Sequence, residues 1–151
     1  GAGDLHREDR DNHLHADDPD RCCHIRKVLP LERALAGYEA WITGRKRYHG
    51  GERSQLDVVE AVDGRIKINP LAGWNQAQIA AEFRARHLPV HPLVAQGYSS
   101  IGCAPCTSQT VANDGIRSGR WIDREKTECG IHRARWAQAE LNAEQESAAI
   151  G

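Results

Sequence analysis

The five cysteines of this chain fall into two close pairs and one isolated residue. Cys22 and Cys23 are adjacent, Cys103 and Cys106 form a Cys-x-x-Cys motif, and Cys129 follows alone. An odd number of cysteines leaves one thiol outside any disulfide framework, and close pairs in a reducing compartment are typical of metal binding or catalysis. A site that used both pairs would tie an early helix to a late loop and so constrain the whole fold.

Four paired thiols leave three alternatives open: a [4Fe–4S] cluster, a structural zinc ion, or cysteines that are buried or disulfide-bonded without a metal. The side chains of adjacent residues diverge. Cys22 and Cys23 therefore reach two different irons of a cube more easily than they converge on one zinc. This geometry favours the cluster, although the spacing by itself does not exclude the other two.

The composition indicates one soluble domain, since 40% of the 151 residues are apolar and 27% are charged. With a formal net charge of -1, nucleic-acid binding is disfavoured. Basic residues cluster locally at 26–27, 45–47 and 117–120, which suits a small anion. No apolar run is long enough to span a bilayer and no secretory leader is present, so we expect a cytoplasmic protein without a membrane partner.

Local patterns predict several elements. Residues 1–20 are rich in Asp and Glu with little to bury, which predicts a solvated, poorly ordered lead-in. A helix is expected over 22–36, with Pro30 able to break it, and a helix over 76–87 capped by Asn75. We also predict a strand over 38–43, irregular chain over 89–128, and a short helix or frayed tail over 133–150.

A β-hairpin is expected around Asp63-Gly64, a dipeptide typical of a two-residue turn. It pairs residues 56–62 with residues 65–69. Alternation along the two strands makes Val58, Ile66 and Ile68 the candidate inward residues.

Cys129 lies in the segment Lys126-Thr127-Glu128-Cys129-Gly130-Ile131-His132. Lys126 and His132, three residues to either side, favour the thiolate, whereas Glu128 works modestly against it. Gly130 leaves the sulfur accessible to attack. The segment therefore predicts a nucleophile, and the alternative is a tail cysteine without a role.

Seven motifs, in order along residues 22–132, closely resemble the assimilatory adenylyl-sulfate (APS) reductases of the APS/PAPS reductase family. They are Cys-Cys-His-Ile-Arg-Lys (22–27), Pro-Leu (30–31), Trp-Ile-Thr-Gly-Arg (41–45), Asn-Pro-Leu with Trp74 (69–74), Gly-Tyr-Ser-Ser-Ile-Gly-Cys-Ala-Pro-Cys-Thr (97–107), Arg-Ser-Gly-Arg-Trp (117–121) and Lys-Thr-Glu-Cys-Gly-Ile-His (126–132).

The resemblance implies that a [4Fe–4S] cluster is ligated by Cys22, Cys23, Cys103 and Cys106. It also implies that Cys129 attacks the sulfate sulfur of APS, expels AMP and forms an S-sulfonate, from which thioredoxin or glutaredoxin releases sulfite. Relatives that use the 3′-phosphorylated substrate, PAPS, generally lack the four paired cysteines, which favours APS. The alternatives are a PAPS reductase with the same mechanism and a non-catalytic fragment stapled by zinc or an iron–sulfur cluster.

Substrate-binding residues follow from the resemblance and from their chemistry. Arg117 and Arg120 can offer planar forks to phosphosulfate oxygens. Lys27 lies beside the cysteine pair and is expected between cluster and substrate, and His132 can donate to the anion or favour the Cys129 thiolate. Arg47 and Arg53 match the family less closely, so a substrate role and a solvated loop are both open for them.

The implied fold class is α/β, namely the C-terminal part of an adenine-nucleotide α-hydrolase-like (ATP-pyrophosphatase-like) fold with long irregular cluster-binding loops. No Ser/Gly-rich nucleotide loop occurs in the chain and there is no Met. We therefore expect an incomplete chain that lacks the N-terminal half of the sheet. Its predicted divisions are a lead-in (1–20), a cluster- and substrate-binding part (21–125) and a mobile tail with Cys129 (126–151).

Overall fold

The structure is a computed structural model that describes residues 2–110 and 115–132. Its α-helices are α1 (Ala2–Glu8), α2 (Leu14–Asp17), α3 (Pro19–Cys23), α4 (Leu29–Ala34) and α5 (Gln76–Ala85), and its strands are β1 (Ala40–Ile42), β2 (Val59–Val62) and β3 (Arg65–Ile68). Two compact units are present. Among the described residues, the first comprises 2–41, 61–66 and 128–132, and the second comprises 42–60, 67–110 and 115–127.

The first unit contains a long helix in which a π segment, His24–Val28, joins α3 to α4. Asp18 caps its start by accepting a hydrogen bond from the Arg21 N–H at 2.8 Å. Pro30 lacks an N–H and its ring crowds the carbonyl four residues earlier. The wider π turn relieves that crowding. The predicted helix is confirmed, but it begins at Pro19 and Pro30 widens it instead of breaking it.

The acidic lead-in, which composition alone would leave irregular, contains α1 and α2. Its acids meet arginines of the long helix: Arg26 pairs with Asp9 at 2.7 Å, and Arg21 binds Glu8 through Nε at 2.6 Å. The backbone N–H of Leu14, bonded to the Asp9 carboxylate at 3.0 Å, lowers the pKa of Asp9. These contacts give the segment partners that composition does not reveal.

The predicted hairpin is confirmed as β2 and β3. Asp63 and Gly64 have φ angles of 53° and 74°, the left-handed pair of a type I′ turn. The sheet order is β1–β3–β2. Hydrogen bonds from the Ile66 N–H to Glu39 and from the Thr43 N–H to Ile68 advance together along both strands, so β1 runs parallel to β3. The result is a small α/β arrangement with a mixed sheet.

The buried side of the hairpin strands in the second unit is polar. Lys67 is 1% exposed and its Nζ lies 3.1 Å from Glu60 Oε2, and Asn69, fully buried, donates to the same oxygen at 2.6 Å. Val58 and Ile66, predicted to face inward, are instead 48% and 43% exposed. The prediction was wrong for Ile66, because the buried position of β3 is its neighbour Lys67, which is paired with Glu60. It was also wrong for Val58, which precedes β2. Ile68 is half-buried.

Helix α5 is confirmed close to its predicted bounds. Asn75 and Gln78 form a capping box, with side chain to N–H distances of 2.9 and 2.8 Å. The helix ends when His87 adopts a left-handed φ of 51° and the Leu88 N–H bonds to the Phe83 carbonyl.

From residue 89 to residue 128, the described chain is mostly irregular, as predicted, and contains short 3-10 turns and one isolated β-bridge. The expected helix or tail at 133–150 lies outside the described residues. Among the described residues, no helix is long and apolar enough to cross a membrane.

Candidate active site

In the second unit, three cations surround one indole ring. The Arg120 Cζ lies 4.4 Å from the Trp121 ring centroid, and the Arg117 Cζ and Lys126 Nζ each lie 5.8 Å from it. Trp121 is 5% exposed. Three positive side chains held together in this way concentrate positive charge, which suits an anion with several oxygens.

The Cys103–Cys106 turn is bonded directly to this cation group. The carbonyl of Cys106 accepts hydrogen bonds from the backbone N–H of Trp121 at 3.3 Å and from the side-chain Nε of Arg120 at 3.2 Å. An antiparallel bridge joins Thr107 to Arg120. The two cysteines are half-buried at either end of a short 3-10 turn. One carbonyl therefore fixes the arginine against the cysteine turn.

Residues 126–127 are held to the same group. Arg117 Nη2 donates to the Thr127 carbonyl at 2.8 Å, and the Thr127 hydroxyl donates to Glu52 Oε1 at 3.1 Å. Lys126 and Thr127 directly precede the segment that carries Cys129. The chain leading to the predicted nucleophile is thus anchored at the arginines.

The basic loop of residues 45–53 is partly committed to structure. Arg47 Nε donates to the Leu56 carbonyl at 2.7 Å, and Arg53 Nη1 lies 3.2 Å from His49 Nδ1. Burial, followed by repulsion from Arg53, lowers the pKa of Lys46. These contacts hold both arginines in the loop, and a substrate role for Arg47 and for Arg53 stays a prediction.

In the first unit, the Cys22–Cys23 pair is buried at the end of α3, with exposures of 8% and 6%. Lys27 is half-buried in the π segment that follows. None of the five cysteines is in a disulfide. Four thiols in two pairs are the donor set of a [4Fe–4S] cluster, so the residues present fit that group chemically. Among the described residues, no three His, Cys, Asp or Glu side chains are grouped to hold a metal ion.

Cys129 is half-buried in the first unit and lies between buried Glu128 and Gly130, whose φ is 83°. The ring of His132 stacks on Trp41, with centroids 5.7 Å apart and an interplanar angle of 13°. This stack orients the imidazole that the sequence assigned to substrate binding.

The structure places Arg117 and Arg120 at one indole ring and adds contacts that the sequence analysis did not predict. Trp121 and Lys126 belong to the cation group, Glu52 accepts a hydrogen bond from Thr127, and Trp41 stacks on His132. The signal for Trp121 was its position directly after an Arg-x-x-Arg pair. No local pattern pointed to Glu52, which contacts Thr127 across a long stretch of sequence. Roles in catalysis, substrate binding and metal ligation stay predictions for the residues assigned from sequence.

Several known proteins are similar to this chain. An adenosine 5'-phosphosulfate reductase of Chelativorans sp. (strain BNC1) is 54% identical over 128 residues, which cover 85% of this chain and 52% of the relative. A phosphoadenosine 5'-phosphosulfate reductase of Gloeobacter violaceus is 48% identical over 123 residues, covering 79% of this chain and 51% of the relative. The chain thus spans about half the length of the curated relatives it matches.

A solved structure gives the same result. The phosphoadenylyl-sulfate reductase of Candida auris, crystallised as a phosphate complex, matches with a TM-score of 0.56 and 32% identity, covering 70% of this chain and 51% of that one. The family described as phosphoadenosine phosphosulfate reductase domain matches residues 2–109, including the lead-in that the motifs had left outside. This chain therefore belongs to the phosphoadenosine phosphosulfate reductase domain family.

Proposed function

We propose that the protein carrying this chain reduces APS to sulfite and AMP, in assimilatory sulfate reduction, with thioredoxin or glutaredoxin as electron donor. The proposal rests on the group that Arg117, Arg120 and Lys126 form around Trp121. Lys126 lies three positions before Cys129 in the sequence. The adenosine 5'-phosphosulfate reductases among its relatives support the choice of reaction.

The cations have a definite task in this reaction. A phosphosulfate carries negative charge on both its groups, and guanidinium forks bind such oxygens in pairs. As the bond between sulfur and the bridging oxygen breaks, charge builds up on the phosphate of the leaving AMP. Arg117 and Arg120 stabilise that charge. Their fixed positions remove the need for reorganisation during the reaction.

The reaction has two covalent stages, formation of an S-sulfonate on Cys129 and its reduction by the donor. The Cys129 thiolate attacks the sulfate sulfur, an S–S bond forms, and the S–O bond to phosphate breaks with its electron pair leaving on AMP. A thiolate of the dithiol donor then attacks Cys129 Sγ and releases sulfite. The second donor thiol resolves the mixed disulfide, so the donor supplies two electrons.

We also propose that Cys22, Cys23, Cys103 and Cys106 hold a [4Fe–4S] cluster, with Lys27 near it. When bound, the cluster supplies a local charge and ties the two cysteine-bearing segments together. The finer fold assignment, an adenine-nucleotide α-hydrolase-like sheet, and a cytoplasmic location belong to the same proposal. Reduced thiols in close pairs support that location.

PAPS is the second candidate substrate, because one relative at 48% identity and the matched Candida auris structure carry the PAPS reductase name. Both substrates share the phosphosulfate and differ at the 3′ position of the ribose. Parallel assays of the complete protein with APS and PAPS, each coupled to thioredoxin, separate them. We expect a higher kcat/KM for APS, and the reverse order would assign the protein to PAPS.

The nucleophile is tested by intact mass. After incubation with APS and without a donor, the complete protein should carry one added sulfonate, and addition of reduced thioredoxin should remove it. Cys129→Ser should show no addition, and a mixture of AMP and inorganic sulfate should give none with the unaltered protein. A sulfonate that persists in Cys129→Ser would rule out this nucleophile.

The cofactor is tested by anaerobic purification. We expect brown protein with about four iron atoms and about four acid-labile sulfides per chain. Stoichiometric zinc without sulfide would instead indicate a structural metal and contradict the cluster.

A further inference from the structure

We propose that Trp121 is a positioning residue of the anion site, whose indole face holds Arg117 and Arg120 where both can bind one phosphosulfate group. The inference rests on the proposed function, since it concerns the same substrate. Trp121 acts through the arginines and needs no contact with the reacting atoms.

Trp121 gathers cations that would otherwise repel one another. Two guanidinium groups and one ammonium lie within 5.8 Å of a single ring centroid, and like charges so placed repel one another. An indole face attracts each cation, and more strongly where water is excluded. The ring therefore offsets part of the repulsion and keeps the cations together before an anion arrives.

The conformation of Trp121 is itself unfavourable. Its φ of 48° is unusual for a bulky residue and strains the backbone. Among the described residues, its buried Nε1–H also has no acceptor, which is a further cost in stability. A residue selected for stability alone would avoid both costs. Their retention indicates that the ring position serves the site.

Arg120 is also restrained by backbone carbonyl groups. Its Nε and Nη1 donate to the carbonyls of Cys106 and Ile101 at 3.2 and 3.4 Å. Its guanidinium also occupies the space that a side chain at position 102 would need, so only Gly102 admits it there. The indole and the Gly102 backbone together define one position for the fork.

The test compares Trp121→Leu with Trp121→Phe in the complete protein. Leucine removes the aromatic face, whereas phenylalanine keeps a face and removes the indole N–H. We expect Trp121→Leu to raise the KM for APS about tenfold and also to lower kcat, because the same arginines stabilise the leaving AMP. Trp121→Phe should raise the KM less than about threefold. Phe83→Leu, the loss of an exposed aromatic ring on α5, is the matched control and should leave both constants unchanged.

Three results would overturn the inference: an unchanged KM in Trp121→Leu, an equal rise in Trp121→Phe, or a fall in kcat at constant KM. If Trp121→Leu fails to fold, Trp121→Met gives the decision, because methionine also fills apolar space without an aromatic face. It should raise the KM to a similar extent, and a normal KM would contradict the role.

Equilibrium binding separates this inference from the proposed function. On a Cys129→Ser background, which cannot form the sulfonate, the Kd for APS should follow the same order of variants. APS that binds in this order without being reduced by the unaltered protein would refute only the proposed function. Absence of APS binding would refute both.

Discussion

At the scale of single residues, Lys67 is the largest fully buried side chain among the described residues of the second unit. Its side chain is 1% exposed, and Glu60, 25% exposed, supplies the neutralising carboxylate at 3.1 Å. Arg45 lies 3.7 Å from the same oxygen. One carboxylate therefore serves two cations, and removal of its charge should have a large effect.

We predict that Glu60→Gln lowers the free energy of unfolding by about 1.5–3 kcal/mol, the usual contribution of a hydrogen bond to a charged group, because it removes the carboxylate charge 3.1 Å from Lys67 Nζ. Urea denaturation of the complete protein measures it. Glu82→Gln is the control, because Glu82 pairs with Arg86 on the exposed surface of α5 and should matter by less than about 0.5 kcal/mol. Equal effects of the two substitutions would show that Lys67 finds another partner.

Lys46 gives a prediction of pH dependence. Burial and Arg53 lower its pKa in the folded protein below the ordinary value of 10.5. Between the two pKa values the unfolded chain binds more protons than the folded one, so stability rises with pH across that window. We expect Lys46→Gln to be more stable than the unaltered protein at pH 7, with the difference shrinking as the pH approaches 10.5. Unfolding measured at pH 7 and near pH 10 tests this, and a constant difference would contradict it.

At the scale of elements, the sequence predicted what local chemistry decides. The Asp63-Gly64 turn and the start of α5 at Asn75 are set by neighbouring residues, and both were confirmed. The π segment was not predicted, because a wider turn and a broken helix relieve the same proline clash. The inward face of β3 was misjudged because Lys67 is buried only when Glu60 is opposite it, a condition that periodicity does not contain.

The cap of α5 gives a prediction at this scale. Asn75→Ala removes the acceptor of the Gln78 N–H and should cost about 1 kcal/mol of stability. Asn75→Asp retains an acceptor and should cost much less. Thermal unfolding of the two variants decides, and equal midpoints would show that the capping box does not stabilise the helix.

The candidate site was predictable only in part, for a related reason. Arg117 and Arg120 carry a motif, and so they could be found in the sequence. Trp121 acts through its φ angle and its ring face, and Glu52 reaches Thr127 through the fold. Neither property has a signature in spacing or composition.

At the scale of the whole molecule, net charge and local charge differ in sign. The chain carries a formal charge of -1, yet three cations meet at Trp121. Attraction of an anionic substrate is therefore local and is screened by salt over about 10 Å at 0.1 M ionic strength.

We predict that kcat/KM for APS falls steadily as KCl rises from about 20 to about 300 mM, mainly through KM, because screening weakens the attraction between the cations and the anion. Steady-state kinetics measure it. In Trp121→Leu, kcat/KM should depend less on the salt concentration, because the three cations are no longer held close together by the indole ring. A kcat/KM that is independent of salt would contradict a charge-driven site.

The carbonyl of Cys106 accepts hydrogen bonds from both Arg120 and Trp121, and this has a consequence for how the sequence can change. A substitution that moves the Cys103–Cys106 turn also moves the Arg120 guanidinium, so a change at one of these two positions alters the other. Arg120 lies 14 positions after Cys106 in the sequence. We expect the two to be kept or lost together among descendants of this chain, as one heritable unit.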